Sequence, residues 1–572
     1  MSRIMRAASG RQCYTDNSHG RLAQWLAQVP YKHKVGGSSP SSPTMSNRAP
    51  LGALFIFRVG RTMPTTLSAL AQLLAKEGLL VSTTNMNDGS DVTVTGADCD
   101  SRFSSPGHLF IAKGAAFREQ YLESALEKGS VAYLCDEARA EALSEVAPGV
   151  PGLVVNDVRR AMGVVSPVAW GHPDRNLHVI GITGTKGKST AAYMLRAILD
   201  GETPGSRTAI MGSIDTYDGI ESFESVNTTP EAPDLWRHVT NTRDSGLRYL
   251  TMEVSSHALK YDRTLGLELS VACFLNLGRD HISPIEHPDF EDYFASKLKI
   301  FSQANVAVVN LGTDRVDEVL AAAQACKDVL TYSADGPRDG ARVWATDITS
   351  HEGQVSFVAH TPSWSALITL PMPGLFNIEN ALCAICVCEV LGIPMQRVVD
   401  GLARTRVPGR MEVIPTESGR VTAIVDYAHN KLSYQRFFFS MREEFPEHQI
   451  IAVFGCPGDK ALERRIELPQ EASRWADLLI YTEEDPAHET VEDICAQMVA
   501  ATPEGTHYEV IPDREKAIER ATSYAFTCGD KALVCLLAKG DETRQHEGDR
   551  FVPSRPDGQI FAEAAGRMQS EA

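Results

Sequence analysis

A mostly apolar run over residues 177–183 leads into Gly184, Thr185, Lys186, Gly187, Lys188 and Ser189, after which apolar residues recur at helical spacing through Ala191, Met194, Leu195 and Ile198. The pattern predicts strand, tight loop and helix, the unit from which parallel α/β sheets are assembled. Backbone N–H groups of such a loop, with the helix N-terminus behind them, cradle phosphates. Lys188 would neutralise the terminal phosphates and the Ser189 hydroxyl would face Mg²⁺, with Thr190 next in line. Ile182 stands where the common G-x-x-x-x-G-K-[ST] spacing wants its first glycine, so this loop is shorter than usual. An ordinary glycine turn is the plain alternative.

With 572 residues the chain has room for three or four domains, each with its own core. Strands alternate with helices from about 176 to 407, which implies a parallel sheet covered on both faces. Glycine and proline punctuate at 171–175 and again at Pro408 and Gly409. Beyond them, strands are expected near 422–426, 450–454, 478–482 and 532–537, giving a third, Rossmann-like domain. The fold class is therefore α/β with three domains: a mixed domain over 63–172, a central ATPase-like one over 173–407 and a C-terminal one over 408–572.

The formal net charge of −18 disfavours a nucleic-acid partner. Twelve cysteines without zinc-like pairs fit reduced thiols in a cytoplasm, and no stretch approaches the ~18 apolar residues of a spanning helix, so no membrane partner is expected. A monomer is the expectation. Residues 1–62 carry nine Lys or Arg against one acidic residue, Asp16, and read as a disordered or spurious extension. The part from Arg21 to Thr44 resembles a translated transfer-RNA gene, which would put the start at Met63.

The shortened loop resembles that of the Mur ligases and their folylpolyglutamate synthetase relatives. The likeness continues through Ser101 and Arg102, Lys113 to Phe117, Thr228 and Thr229, the segment Glu253 to Arg263, Asn276 to His281, Asn377 to Asn380, Arg410 and Asp426 to His429, all in the family's order. The uridine-type N-terminal segment points to the tripeptide-synthetase branch of the Mur ligases and away from the folate branch. The resemblance implies an ATP-dependent ligase that joins a diamino acid to the D-glutamate carboxylate of a UDP-linked muramyl dipeptide through an acyl phosphate.

By the same resemblance, Ser189 and Glu253 would hold a first Mg²⁺, and His281 with Lys297 a second. A lysine serves a cation only after CO₂ converts its amine to a carbamate, so Lys297 must have a depressed pKa. Lys299 competes for that role, and a solvated helix face would be the ordinary fate of both lysines. Ser101 would touch the uridine, while Thr228, Thr229, Ser255 and Arg263 would hold the muramyl peptide. Asn377, Asn380, Arg410, Asp426 and His429 would surround ATP, although the two asparagines could equally cap a helix. His257 and His287 receive no role.

For the incoming amino acid the resemblance implies Lys460, Asp485 and Glu542. Enzymes that add meso-diaminopimelate carry arginine where Ala487 stands, which makes lysine the first choice, with ornithine close behind. Glu483, Glu484, Asp485 and Glu489 would receive a distal ammonium, or form a solvated acidic loop. A non-catalytic nucleotide-binding paralogue is the other reading. Its support is Lys186 where asparagine is common, and the altered loop from Pro457 to Leu462.

Overall fold

His178–Thr183 is buried at every position, as a strand covered on both faces must be. It lies fifth in an eleven-stranded sheet ordered Ser222–Glu224, Asp215–Tyr217, Thr208–Met211, Tyr249–Glu253, His178–Thr183, Leu269–Phe274, Ala304–Asn310, Asp328–Ser333, Val343–His351, Gln354–His360, Ser365–Leu370. The structure, a computed structural model, describes residues 64–86, 91–280, 282, 286–351 and 353–571. The expectations for residues 1–62 and the start at Met63 fall outside them.

The seven strands from Thr208–Met211 to Val343–His351 run parallel, but an antiparallel hairpin extends each edge. Sequence alternation predicts only the parallel part. Gln354–His360 alternates exposed and buried positions, so this strand faces the core on one side and needs no crossover helix. One face of the sheet packs against the helices Lys188–Asp200, Asn377–Leu391 and Met395–Arg404. Asn377–Leu391 is apolar nearly all round and almost wholly buried, as a helix sunk in a core must be.

On the N-terminal side a five-stranded sheet runs Leu80–Thr84, Gly152–Val155, Ala132–Asp136, His108–Ile111, Gly96–Asp98, with only the first strand antiparallel. On the C-terminal side six strands run Glu412–Pro415, Val421–Asp426, Ala532–Leu537, Gln449–Phe454, Leu478–Tyr481, Tyr508–Val510. All but the first are parallel. The four strands expected from sequence form the centre of this sheet, while both edge strands and the hairpin Arg544–Glu547/Arg550–Pro553 were not anticipated. These are short and partly exposed, so they carry little apolar signal. In both larger sheets the residues of interest sit on loops at the C-terminal ends of parallel strands, where open α/β sheets bind ligands.

Candidate active site

Gly187 caps the helix Lys188–Asp200 with a left-handed backbone, φ 86°, and a β-carbon there would collide with the side-chain oxygen of Asn380. Glycine is required by both conditions. Asn380 in turn donates to Asn377 Oδ1 at 3.1 Å, and Asn377 donates to Pro373 O at 2.7 Å. Both asparagines are buried, and the helix N-cap is Phe376, without a side-chain cap bond. The alternative in which they cap the helix is not what the structure shows; they form a buried amide ladder under the loop.

The loop is fastened from its other side as well. Lys186 N donates to Asn276 Oδ1 at 2.9 Å and Asn276 Nδ2 returns a bond to Lys186 O at 3.1 Å. Thr185 Oγ1 lies 3.0 Å from the Tyr293 hydroxyl and accepts from Gly278 N at 2.9 Å. Lys186 Nζ pairs with Asp280 at 3.2 Å. Thr190 is half-buried in the first helical turn.

Two lysines converge on one loop carbonyl. Lys188 Nζ donates to Gly184 O at 3.0 Å and to Thr185 O at 3.3 Å, and Lys297 Nζ donates to Gly184 O at 2.9 Å. Lys297 is 2 % exposed, with its amine 4.6 Å from the centre of the Tyr293 ring. Burial pushes its pKa well below the ordinary lysine value, and the charge of Lys188 pushes the same way. Lys188 is lowered too, chiefly by burial, against the opposing pull of Glu253. Lys299 points elsewhere and donates to Leu259 O at 3.3 Å. His281, named from sequence beside Lys297, lies outside the described residues.

Across the loop, Ser189 Oγ is 3.1 Å from Ser213 Oγ, and Ser213 donates to Glu253 Oε1 from its backbone N at 2.8 Å and its hydroxyl at 3.2 Å. Glu253 is 2 % exposed. Three hard-oxygen side chains thus stand in a row beside the phosphate loop, a donor set that suits Mg²⁺. Sequence reasoning missed Ser213. A Gly-Ser step directly after the strand Thr208–Met211 was the available signal.

The segment after Glu253 folds onto a second loop. Thr229 Oγ1 donates to Glu253 O at 2.8 Å and accepts from Ser255 N at 3.1 Å, while Ser255 Oγ caps the helix Ser256–Lys260 by accepting from Ala258 N. Arg263 donates to Thr229 O at 3.0 Å and pairs with Glu231 at 2.8 Å. Glu231 also reaches Lys113 at 3.5 Å, so the N-terminal lobe meets this loop through a shared carboxylate. Thr228 is half-buried beside Thr229. Ser101 is buried, and its carbonyl accepts from Lys128 Nζ at 2.7 Å.

From the C-terminal lobe, the Arg410 guanidinium lies 4.3 Å from the centre of the Tyr427 ring. Asp426 accepts from Met411 N and Ala428 N, both at 2.8 Å, and burial raises its pKa against the pull of Arg410 and Lys186. His429 Nδ1 is 2.7 Å from Tyr427 O, and burial with the nearby Arg464 lowers its pKa to about 3. Lys539, 2 % exposed, gathers Asp485 and Glu542 at 3.0 Å each and donates to Arg544 O at 2.8 Å. Lys460, expected at the amino-acid site, is exposed.

The acidic stretch is not a solvated loop. Glu489 pairs with buried Arg465 at 2.7 Å, which lowers its pKa to about 2, and Glu483 accepts from Arg514 N and Gln545 Nε2. Glu484 is buried, which raises its pKa to about 7. Ala487 is held at φ 49°, its N–H donating to His546 O at 3.0 Å.

Comparison with known proteins places this geometry in a family. The profile described as Mur ligase middle domain matches residues 182–388, and that described as Mur ligase, glutamate ligase domain matches 409–540. A UDP-N-acetylmuramyl-tripeptide synthetase of Lactobacillus delbrueckii subsp. bulgaricus is 35% identical over 492 residues, 83% of this chain and 93% of that protein. A UDP-N-acetylmuramoyl-L-alanyl-D-glutamate--L-lysine ligase of Enterococcus faecalis is 37% identical over 462 residues, 79% of this chain and 88% of the relative. Among solved structures, a UDP-N-acetylmuramoyl-L-alanyl-D-glutamate--2,6-diaminopimelate ligase superposes with a TM-score of 0.60 at 25% identity, over 89% of this chain and 100% of the other. The two profiles span most of the central and C-terminal sheets that carry the phosphate loop and the strand-end loops, and the chain belongs to the Mur ligase family.

Proposed function

We propose that the chain is an ATP-dependent, ADP-forming ligase that adds L-lysine to the D-glutamate of UDP-N-acetylmuramoyl-L-alanyl-D-glutamate, a step of peptidoglycan precursor synthesis, and that it works in the cytoplasm as a monomer. The observation that carries most weight is the convergence of Lys188, Lys297, Ser189, Ser213 and Glu253 on one loop, with Arg410 and Asp426 approaching from another lobe. No helix among the described residues is long and apolar enough to cross a membrane.

A carboxylate resists attack by an amine because resonance and negative charge both oppose it. Transfer of the γ-phosphoryl group of ATP to the D-glutamate carboxylate removes both obstacles and releases ADP. The amine of the incoming amino acid then attacks the acyl phosphate, and phosphate leaves from the tetrahedral intermediate. The chain's task is to bring two anions into line and offset their charge. The loop N–H groups, Lys186 and Lys188 would take the phosphates, with Asn377, Asn380, Arg410, Asp426 and His429 around the rest of ATP. Thr228, Thr229, Ser255 and Arg263 would hold the muramyl peptide and Ser101 the uridine.

Ser189 and Glu253, joined by Ser213, would hold one Mg²⁺; His281 and carbamylated Lys297 would hold a second. Magnesium supplies charge neutralisation at the phosphates when bound. Burial of Lys297 supports the carbamate assignment, since only a neutral amine adds CO₂. Asp485 and Glu542 would receive the amino acid, and Lys460 its carboxylate. At Ala487 there is no guanidinium to clamp a distal carboxylate, which favours lysine over diaminopimelate and leaves ornithine as the nearest rival.

The test is ADP release from ATP with UDP-muramyl dipeptide and, in separate reactions, lysine, ornithine or meso-diaminopimelate. Lysine should give the highest kcat/KM. Release no faster than background with all three would overturn the ligase reading in favour of a nucleotide-binding paralogue.

A further inference from the structure

The hairpin Arg544–Glu547/Arg550–Pro553 is stitched to two different parts of the molecule. On one side it belongs to the amino-acid loops. His546 N donates to Asp485 Oδ1 at 3.2 Å, Ala487 N donates to His546 O, Gly548 N donates to Ala487 O at 2.7 Å, and Lys539 holds the Arg544 carbonyl together with Asp485 and Glu542. On the other side it crosses to the central lobe. Thr543 Oγ1 donates to Glu224 Oε2 at 2.7 Å, Arg544 Nε lies 3.4 Å from Glu224 Oε1, and Arg544 Nη2 donates to Ser225 O at 3.3 Å.

Glu224 ends the strand Ser222–Glu224, and the chain continues directly through Ser225 to Thr228 and Thr229. Ser225 is itself anchored, its N donating to Ile214 O at 3.0 Å and its hydroxyl 2.9 Å from that of Thr216. Only Val226 and Asn227, both exposed, separate this anchored point from the threonine loop. In the opposite direction, the Arg544 backbone shares the Lys539 ammonium with both carboxylates of the amino-acid site. The Arg544 side chain also lies over the Phe551 ring, 5.3 Å from its centre, which limits its own freedom.

We infer that Arg544, through Glu224 and Ser225, is a positioning residue that sets the distance between the incoming amine and the acyl phosphate it attacks, by latching the amino-acid loops of the C-terminal lobe to the acceptor-peptide loop of the central lobe. This rests on the ligase reading and deepens it. Neither side chain touches the reacting atoms; their effect is on how closely two substrates held by different lobes approach. Addition to the acyl carbonyl carbon is sensitive to such spacing, because a misplaced amine forfeits the advantage of being held near its target. Arg544 and Glu224 are each about one-third exposed, so the latch is modest in strength and able to open for product release.

The test uses the full chain with Arg544→Ala, Glu224→Ala and the charge-exchanged double variant Glu224→Arg/Arg544→Glu. Each single variant should lower kcat/KM for lysine about fivefold, the size of effect expected when a partly exposed ion pair and its companion hydrogen bonds are lost. KM for ATP and the unfolding midpoint should stay near wild type, and the exchanged pair should recover at least half of the loss. A purely structural role would instead lower the midpoint and shift every kinetic constant together, and that outcome would overturn the proposal. So would singles that leave kcat/KM for lysine unchanged, or an exchanged pair no better than the worse single. If the wild-type chain releases no ADP with any amino acid, the ligase reading has failed by itself. The latch is then judged by small-angle scattering: a larger radius of gyration for Arg544→Ala supports it, and superposable curves overturn it.

Discussion

Lys297 is a lysine in a place where lysine is rarely found. Its amine is buried against a loop carbonyl and an aromatic face, and its pKa is depressed by loss of water and by the ammonium of Lys188. Two positions along, Lys299 bonds to a carbonyl on the helix behind it. Sequence spacing left these two lysines in competition, since neither periodicity nor composition says which of two nearby lysines turns inward. Their different surroundings support Lys297 in the catalytic role. Lys297→Met should therefore lower ADP release by about a hundredfold or more, as loss of a charge-stabilising group does in a preorganised site, whereas Lys299→Met should stay within about twofold. Steady-state rates for the two variants decide it, and equal losses would remove the distinction. Ser213 is the complementary case, a residue with no family motif of its own whose importance appears only because it bridges Ser189 and Glu253.

Among elements, the helix Lys431–Glu444 shows how the lobes are joined. Its N-terminal Asn430 forms a reciprocal capping box with Ser433, and its last residue, Glu444, accepts a 2.5 Å bond from Gly374 N in the central lobe. Glu444 is 7 % exposed, and burial raises its pKa to about 7. An unfolded glutamate loses its proton near 4.5, so between about pH 4.5 and 7 the folded state holds a proton that the unfolded state has released. Stability then falls as pH rises through this window, and the cost is fully present above about 7. Glu444→Gln keeps an acceptor for Gly374 and should flatten this slope, with a gain of roughly 2 kcal/mol at pH 8. Denaturation at pH 5 and pH 8 measures it; identical slopes in both proteins would refute the assignment. The partner of Glu444 lies some seventy residues away, and nothing local announces the contact.

On the scale of the whole molecule, groups expected to surround one nucleotide come from two lobes, the central one with its phosphate loop and the C-terminal one with Arg410, Asp426 and His429. A ligand that bridges lobes must stabilise their closed arrangement. Saturation with a non-hydrolysable ATP analogue and Mg²⁺ should raise the unfolding midpoint, by about 2.7 kcal/mol of stabilisation at a hundredfold excess over Kd, and should shrink the radius of gyration. The Arg410→Ala variant should show the smaller response in both. A nucleotide that bound with no change in scattering would mean the lobes are already locked. Sequence and structure divide along the same physical line. The phosphate loop with its strand and helix, the strand–helix alternation of the central lobe and four strands at the centre of the C-terminal sheet were legible in the chain, because apolar periodicity and glycine placement act within a dozen residues. The antiparallel hairpins at both sheet edges, the buried pairing of Glu489 with Arg465, the Lys539 junction and the Arg544–Glu224 contact were decided only by the tertiary structure. The hairpins join neighbouring strands but are half-exposed and carry little apolar signal, whereas the side-chain pairings bring together polar groups from separate loops, with protonation and strength set by the water that folding removes around them.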